Sequence, residues 1–281
     1  MVSMKDISSK CHVSIATVSK ALNNRGDISD ETKEKICRVA KELGYLPNSS
    51  ARALKTNRTY NIGVLFVDKA NCGLTHSYFS HVLDSFRRGA EEEGYDITFI
   101  SQHAGKNKLS YYEHSKYRGV DGVVIACVDF EDEAILELVN GEIPVVTIDY
   151  SFHNKSSILS DNVTGMEEIV QYVVDMGHRD IAYIHGAESG VTEHRLRSFY
   201  RTMKELQVPV REEWVREGVY HDPESAARIT NELLTLSNRP TCIIYPDDFS
   251  CVGGLNEIES RGLSVPDDIS VVGYDGQRIS E

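Results

Sequence analysis

The sequence predicts a small all-α head followed by a larger α/β body, built as two lobes with parallel sheets. Capped helical segments fill residues 3–43, and short apolar runs alternate with amphipathic helices after residue 60. Charge separates the same two parts. The first 59 residues carry 11 Lys and Arg against 6 Asp and Glu, whereas the remainder has a net charge of −18. A cationic head on an anionic body indicates that the head meets phosphates and that the body does not.

Two short helices around a tight turn are predicted over residues 3–23. Ser3 and Ser14 stand where helix N-caps are expected, and Asp6 completes a capping box with Ser3. Helical spacing places apolar side chains on one shared face, namely Ile7, Cys11, Val13, Val18 and Leu22. The second helix then presents small side chains and one cation outward, which suits the DNA major groove.

A third helix over residues 30–43, with Ser29 as N-cap and Gly44 as its stop, completes the head. The alternative is a helical bundle with no nucleic-acid role, a common fold, but the charge separation favours DNA. A two-turn helix capped by Asn48 follows. So short a helix should not persist alone in water, and a plain linker is its alternative.

Seven apolar runs in the body are predicted as strands: 62–67, 97–100, 122–128, 145–148, 181–184, 241–245 and 269–273. The predicted helices between them include 77–93, 131–140, 163–176, 195–206, 223–236 and 249–261. Residues 214–220 fit either a further strand or a loop. Continuous apolar strands separated by helices are typical of parallel sheets covered on both faces. The length predicts two lobes, a crossover near residues 150–157 and a ligand crevice between the lobes.

Three segments resemble the LacI/GalR transcriptional regulators: VSIATVSKALN at 13–23, GYLPN at 44–48 and ARAL at 51–54. The resemblance continues through the body. It implies a helix-turn-helix domain at 1–46, a hinge helix and linker at 47–59, and an effector domain of periplasmic-binding-protein-like fold at 60–281. His12 replaces the Gly usual in the turn, and Ser8 and Cys11 replace small Ala. We expect a slightly less stable head, because a left-handed His costs more than Gly.

The resemblance also nominates DNA-contacting residues, with the second helix in the major groove. They are Ser14, Ile15, Ala16, Thr17, Ser19, Lys20 and Asn23 in the head, and Asn48, Ala51 and Leu54 in the hinge. Ile15, Ala16 and Lys20 would read bases. Two hinge helices would order together over the minor groove of a palindromic double-stranded operator, where Leu54 would pry open a central base step. The complete family fold is a homodimer.

Effector-binding residues carry over in the same way: Ser77, Tyr78, Phe79, Asp149, Arg195, Asp247 and Asp275. Carboxylates accept from vicinal hydroxyls, Arg donates a planar fork, and an aromatic covers an apolar ring face. A neutral polyol, most simply a sugar, therefore fits better than an anion. For each Asp the alternative is a helix N-cap. A nucleobase or a partner protein is the alternative effector, because a fold does not identify its ligand.

Catalytic and metal-binding motifs are not found in the sequence, which has no Gly-x-Ser-x-Gly elbow, phosphate-binding Gly-rich loop or His-Glu-x-x-His. An enzyme using the crevice is a remote alternative, and no cofactor is expected. His178 is interpreted as a helix-end residue, and Gly253-Gly254 as a close-packing site. The cysteines show no paired spacing; they are Cys11, Cys37, Cys72, Cys127, Cys242 and Cys251.

Several of these thiols fall in apolar runs and should act as small hydrophobes. Together with the lack of a signal peptide or long apolar span, this predicts a reduced cytoplasmic protein. An exported sugar-binding protein would carry a signal sequence where this chain has its head. Family chains usually continue beyond the position of Asp275 with a last strand and helix, so the C-terminal part of the fold is expected to be missing here.

Overall fold

The computed structural model describes residues 2–23, 28–46, 53, 58–67 and 77–280. The chain divides into two units, Met1–Tyr60 and Asn61–Glu281. The head contains α1 (Met4–Cys11), α2 (Ile15–Leu22) and α3 (Asp30–Glu42). The predicted hinge residues Asn48, Ala51 and Leu54 lie outside the described residues.

The predicted caps of the head are confirmed. The Asp6 carboxylate accepts hydrogen bonds from the Ser3 backbone N–H (2.8 Å) and hydroxyl (2.7 Å), as in a capping box. Ser14 Oγ accepts from the Thr17 N–H at 3.1 Å and so begins α2. His12 has φ 58° and ψ 43°, which is the left-handed conformation expected of the turn.

One shared apolar face holds the three helices of the head together. Ile7, Val18 and Ile36, one from each helix, are fully buried. Around them pack the remaining members of the predicted face together with Ala21, Val39 and Ala40. Burying each large side chain is worth about 1.5–3 kcal/mol, so these contacts rather than helix propensity stabilise such short helices.

The first lobe of the body is a five-stranded parallel sheet in the order β2-β1-β5-β6-β7. Its strands, with a small antiparallel hairpin β3–β4, are β1 (Asn61–Phe66), β2 (Asp96–Phe99), β3 (His103–Ala104), β4 (Asn107–Lys108), β5 (Gly122–Ala126), β6 (Val145–Ile148) and β7 (Ser156–Ile158). The helices are α4 (Ser77–Glu92), α5 (Tyr111–Arg118) and α6 (Glu133–Asn140).

The second lobe is a four-stranded parallel sheet in the order β11-β10-β8-β9. Its strands are β8 (Ile181–His185), β9 (Val215–Glu217), β10 (Cys242–Ile244) and β11 (Ser270–Val272), and its helices are α7 (Asn162–Asp175), α8 (Gly190–Glu205), α9 (Pro223–Leu234) and α10 (Asp248–Ser260). Two parallel sheets flanked by helices confirm the predicted class.

Strand alternation explains why the strands of the second lobe read as continuous apolar runs. Ile181 and Tyr183 pack with α7 and α8 on one face of the sheet, whereas Ala182 and Ile184 pack on the opposite face with α9 and α10. Because successive side chains point to opposite faces and both faces are covered, every position must be apolar. Trp214 closes the second face, with its Nε1 donating to the Asn238 carbonyl at 3.0 Å.

Several elements refine or add to the sequence prediction. Ser156–Ile158 forms edge strand β7, so the described chain passes between lobes at residues 159–161 and not within 150–157. Helix α8 begins at Gly190 rather than Arg195, because Ser189 Oγ caps it by accepting from the Thr192 N–H at 3.2 Å. The ambiguous segment after Trp214 is a strand, β9. Helix α5 and strands β3 and β4 were not among the predicted elements.

Gly253 and Gly254 lie inside α10, where close packing requires them. A Cβ built on Gly253 would lie 2.1 Å from the Pro223 carbonyl oxygen, and one on Gly254 would lie 2.0 Å from Tyr245 Oη. His178 follows α7, and its ring nitrogens lie 2.9 Å from Thr241 Oγ1 and 3.0 Å from Ser270 Oγ. Both sequence interpretations are therefore confirmed.

Candidate functional site

Strained backbone marks the carboxyl ends of the parallel strands in the body. Four residues other than glycine have positive φ there: Cys127 after β5 (56°), Asp149 after β6 (59°), His221 beyond β9 (56°) and Asp275 beyond β11 (83°). A side chain with a Cβ is destabilised in this conformation, so such residues tend to cluster at functional sites. In open α/β sheets, ligands bind outside these strand ends.

Arg195 is the buried cation of this region. It lies on α8 and is only 6% exposed. Its Nε donates to Asn162 Oδ1 and its Nη1 donates to the Pro246 carbonyl, both at 2.8 Å. The guanidinium carbon also lies 3.5 Å from the centroid of the Tyr274 ring. Because a buried charge must be hydrogen-bonded and can be stabilised by an aromatic face, these contacts fix the guanidinium.

Asp248 holds the loop that presents Asp275. It begins α10, is 4% exposed, and accepts from the Gln277 N–H through Oδ2 at 2.5 Å. A Cβ on Gly273 would lie 2.2 Å from Asp248 Oδ1, so this close approach needs glycine. Burial raises the pKa of the Asp248 carboxyl, which the bond from Gln277 opposes. The buried carboxylate thus acts as an anchor for the loop after β11.

Asp247 is occupied as a helix cap. Its Oδ1 accepts from the Ser250 N–H (2.8 Å), and its Oδ2 accepts from the Ser250 hydroxyl and the His221 N–H (both 2.9 Å). The residue is 1% exposed. The structure therefore gives Asp247 the N-cap role that the sequence left as its alternative, together with a bond that holds the strained His221 backbone.

The first lobe contributes Asp149 and Tyr78. Asp149 Oδ1 accepts from both the N–H (3.0 Å) and the hydroxyl (2.8 Å) of Ser160. Tyr78 lies on α4 with its ring centroid 5.2 Å from that of Phe79. Burial raises the pKa of Tyr78, a hydrogen bond with Ser160 lowers it, and Asp149, Asp275 and Arg195 all act on it. Side chains of the two lobes therefore meet around Tyr78.

The protein around Asp275 strongly raises the pKa of its carboxyl group. Asp275 is exposed to solvent, yet desolvation by neighbouring protein raises its pKa to about 6. An accessible group that is densely surrounded lies in a concave surface. Arg195 lowers the pKa of Asp275, while Asp247, Asp248 and Asp149 raise it. Desolvation is therefore the main cause of the raised pKa, and the attraction of Arg195 and the repulsion of the three carboxylates act on it in opposite directions.

Sequence reasoning missed several residues of this crevice. Tyr220 lies with its hydroxyl 2.9 Å from Thr192 Oγ1 and its ring against Gly186, where a Cβ would lie 1.9 Å from the ring. Asn162 and Tyr274 contact Arg195 directly. Tyr274 precedes Asp275 in a segment that the resemblance singled out, so a signal was present. Asn162 gave no such signal, because its contact with Arg195 depends on how helices α7 and α8 pack together.

The three residues predicted to read bases are exposed on the second helix of the head. Ile15, Ala16 and Lys20 are exposed on α2, and Ile15 remains 49% exposed although it is apolar. Asn23 is exposed and donates from Nδ2 to the Ser19 carbonyl at 2.6 Å, which closes the helix. These side chains are therefore accessible on one helix of the head, as contact with DNA bases would require.

Neither a metal centre nor a membrane span is found in the described parts of the chain. No group of three or more His, Cys, Asp or Glu there could hold an ion. No helix among the same residues is long and apolar enough to cross a membrane.

Comparison with known families decides the identity of the fold. The model described as bacterial regulatory proteins, lacI family, matches residues 3–48, and that of periplasmic binding proteins and sugar binding domain of LacI family matches residues 59–279. The chain belongs to the LacI family. It is a DNA-binding transcriptional regulator with a ligand-binding domain, as the sequence predicts.

Curated LacI-family relatives are transcriptional repressors. The chain is 32% identical to the probable repressor ExuR of Bacillus subtilis (strain 168), over 98% of this chain and 82% of the relative. It is 29% identical to the repressor PurR of Vibrio parahaemolyticus, over 100% of this chain and 84% of the relative. The Lac repressor dimer bound to operator and the anti-inducer ONPF matches with a TM-score of 0.80 and 26% identity, covering 99% and 83% of the two chains.

Within this LacI-family body, the predicted effector residues fall into three groups. Asp149 and Arg195 each act electrostatically on both Tyr78 and Asp275, so these four residues lie near one another. Asp247 lies beside them but caps α10. Phe79 packs on Tyr78 and Phe66, and Ser77 begins α4 with its side chain outside what the structure describes.

Proposed function

We propose that this regulator represses transcription from a two-fold symmetric operator and that a neutral polyol, most simply a sugar, bound between the two lobes controls its operator affinity. The observation that carries the effector assignment is the Arg195 guanidinium, which is fixed by Asn162 and Pro246, lies 3.5 Å from the Tyr274 ring centroid and 6.0 Å from that of Tyr220, and acts electrostatically on Asp275. Hydroxyls can donate to carboxylates and accept from a guanidinium, and aromatic faces cover sugar rings.

Charge is the reason to prefer a neutral ligand. Asp149, Asp247 and Asp248 each raise the pKa of Asp275, whereas Arg195 lowers it. An added anion would increase the repulsion that already raises the pKa of Asp275, whereas a polyol would satisfy hydrogen bonds without added charge. The family that matches residues 59–279 is described as including a sugar binding domain, which also supports a sugar as the ligand.

A thermal melt of the purified chain against a ligand panel tests this assignment. The panel contains neutral hexoses and disaccharides, the matching uronic acids, and purine nucleobases. A neutral sugar at 100 times its Kd should stabilise the fold by about 2.7 kcal/mol and raise Tm accordingly. A rise with a nucleobase alone would instead favour the second candidate, which the similarity to PurR repressors motivates. No rise with any compound would favour a partner protein.

Operator recognition is proposed to use α2 and the hinge of two copies of the chain. Lys20→Ala should weaken operator binding about 10-fold, since an exposed cation on the reading face contributes about 1–3 kcal/mol when it contacts a base. Lys10→Ala is the matched control, because Lys10 is a cation of the same head that pairs with Glu42 at 3.3 Å. Fluorescence anisotropy with an operator duplex measures both. Equal losses for the two variants would contradict the assignment of α2.

Leu54 is proposed as the apolar wedge of the hinge. Leu54→Ala should reduce both operator affinity and DNA bending, because the wedge stabilises the kinked duplex. Effector affinity should not change. Unchanged operator affinity would rule out the wedge. A homodimer follows from this proposal, since one head contacts too few phosphates for tight binding.

We also propose that the chain works in the cytoplasm, where operator DNA lies, and that it releases its effector unchanged. The relatives being repressors supports a binding role rather than turnover. Incubation of the stabilising compound with the protein, followed by chromatography, should return that compound intact; a new product would favour an enzyme.

A further inference from the structure

The segment that crosses between the lobes is hydrogen-bonded to the candidate site on both sides. Ser160 donates from its N–H and its hydroxyl to Asp149 Oδ1, on the first lobe. Asn162 begins α7 on the second lobe, and its Oδ1 accepts from Arg195 Nε at 2.8 Å. Asn162 Nδ2 then donates back to the Ser160 carbonyl at 3.2 Å. We call the chain Asp149–Ser160–Asn162–Arg195 the crossover relay.

Donor and acceptor chemistry fixes the direction of the relay. Arg195 can only donate, and the Ser160 carbonyl can only accept, so one orientation of the Asn162 amide satisfies both partners. Asn162 is 4% exposed, which makes loss of either bond costly. The Asn162 backbone N–H also donates to the Ser160 carbonyl, at 2.8 Å.

Tyr78 adds a second contact on the first lobe through a hydrogen bond with Ser160, which opposes the rise in its pKa that burial causes. The relay therefore includes or contacts Tyr78, Asp149 and Arg195, and Arg195 in turn acts electrostatically on Asp275. Its two central members, Ser160 and Asn162, were not among the predicted site residues. They are short polar side chains on a crossover and at a helix start, where the sequence alone suggests only capping.

From this geometry we propose that Ser160 and Asn162 are positioning residues of the effector site. They hold the ligand-facing carboxylate of the first lobe and the guanidinium of the second lobe in one hydrogen-bonded unit. A movement of the crossover then shifts both groups together. Ligand binding in the crevice is therefore coupled to rotation of the lobes. This inference rests on the proposed effector site, and it names the residues that couple its two halves.

Amide hydrogen exchange of the Ser160 N–H tests the relay without a ligand. This amide donates to Asp149, and among the described residues the hydrogen-bonded path that joins Ser160 to Arg195 runs through Asn162. With serine selectively labelled with ¹⁵N, Arg195→Ala should speed exchange of this amide about 5- to 10-fold, the effect of losing one net hydrogen bond. Arg197→Ala is the matched control, because Arg197 lies on the same helix and pairs with Glu193 on the surface.

Asn162→Asp separates the two halves of the relay. The aspartate still offers an oxygen to Arg195 but turns a second oxygen toward the Ser160 carbonyl, which repels it. It should keep the fold, since an acidic residue is favourable in the first turn of α7. Ser160 exchange should rise as in Arg195→Ala, and the ¹³C shift of the Asp149 carboxylate should move in both variants. Asn154→Asp, which adds the same charge to an exposed residue of the preceding loop, should change neither.

Unchanged Ser160 exchange in both Arg195→Ala and Asn162→Asp, with Tm within error of the parent, would overturn the relay. A general loosening in which control amides of α7 also speed up would likewise overturn it, because that result indicates loss of packing rather than of positioning. Neither measurement uses an effector. A relay that fails while a sugar still binds, or a relay that holds while no sugar binds, therefore separates this inference from the proposed function.

Discussion

The two lobes contribute to the crevice in different ways. The second lobe supplies groups that are already fixed: Arg195, Asp247 and Asp248 are each less than 10% exposed and each bonded to backbone. The first lobe supplies Asp149 and Tyr78, which are half-buried and share one neighbour, Ser160. One side of the crevice is preorganised, and the other side depends on the crossover for its position.

This difference suggests a division of labour in binding. Groups fixed before a ligand arrives lose little freedom on binding and therefore supply most of the affinity. Groups that move with a lobe supply the differential contacts that shift an equilibrium between open and closed states. We expect the second lobe to determine how tightly the effector binds. We expect the first lobe to determine how much effector binding changes the operator affinity.

Loss of the fixed guanidinium should have the largest effect. Arg195→Ala removes two buried hydrogen bonds, leaves the Asn162 and Pro246 oxygens without this donor, and removes the ligand contact. We expect effector affinity to fall at least about 100-fold, or roughly 3 kcal/mol. Asp149→Ala, on the first lobe, should cost about 10-fold. Calorimetry with the stabilising sugar measures both.

Operator affinity without effector provides the control for these two variants, and it should match the parent in each. An Asp149→Ala loss equal to or greater than that of Arg195→Ala would break the proposed division, because the first lobe would then supply the main binding energy.

A second comparison uses glycines that pack differently in the two lobes. Gly253→Ala places a Cβ 2.1 Å from the Pro223 backbone carbonyl, so α9 and α10 must separate, at a cost of about 3 kcal/mol in unfolding free energy. Gly63→Ala meets the ends of the Ile100 and Val123 side chains at 2.9 and 3.0 Å, which can shift, and should cost about 1 kcal/mol. Urea unfolding monitored by circular dichroism measures both values.

Gly190→Ala provides the matched control for helix propensity. No atom lies within 4 Å of a Cβ at Gly190, so this change should stabilise the protein by about 0.5–1 kcal/mol. A Gly63→Ala variant less stable than Gly253→Ala would show that the first lobe is the more tightly packed of the two.

The sequence was sufficient for features that depend on local pattern. The caps at Ser3, Ser14 and Ser29, the left-handed His12 and the buried parallel strands each follow from spacing and residue type within a few positions. Family resemblance then nominated Arg195 and Asp275, whose effector role stays a prediction. The confirmed features share a cause, since each depends on residues that are neighbours in the chain.

Contacts between distant segments could not be predicted. Asn162 and Arg195 are bonded across 33 positions of sequence, and Tyr220 lies against Thr192 because strand β9 returns the chain to the crevice. Asp247 shows that a local sequence pattern can also fit two different roles. Its position after β10 fits either a ligand or a helix cap, and only the hydrogen bonds from Ser250 and His221 establish the cap.

The smallest expected effect is the pH dependence of folding stability that Asp275 contributes. Burial raises its pKa to about 6 in the folded protein from the ordinary 3.8, so the folded state binds the proton more tightly than the unfolded state. The stability from the protonated carboxyl is fully present below about pH 4 and is lost as pH rises through 6. Because the residue is exposed, solvent screening keeps the change modest.

Asp275→Asn tests this assignment because it removes the ionisable group while keeping its shape. The variant should melt at the parent temperature near pH 4 and a few degrees above the parent at pH 7–8, where ionised Asp275 is repelled by Asp149, Asp247 and Asp248. Sugar affinity of the parent should fall as pH drops through 6, since the protonated carboxyl is a poorer acceptor, and should stay flat in the variant. A variant that is less stable than the parent at pH 8 would mean that the attraction of Arg195 outweighs desolvation and the repulsion of the three carboxylates together, and the second lobe would then favour an anionic ligand.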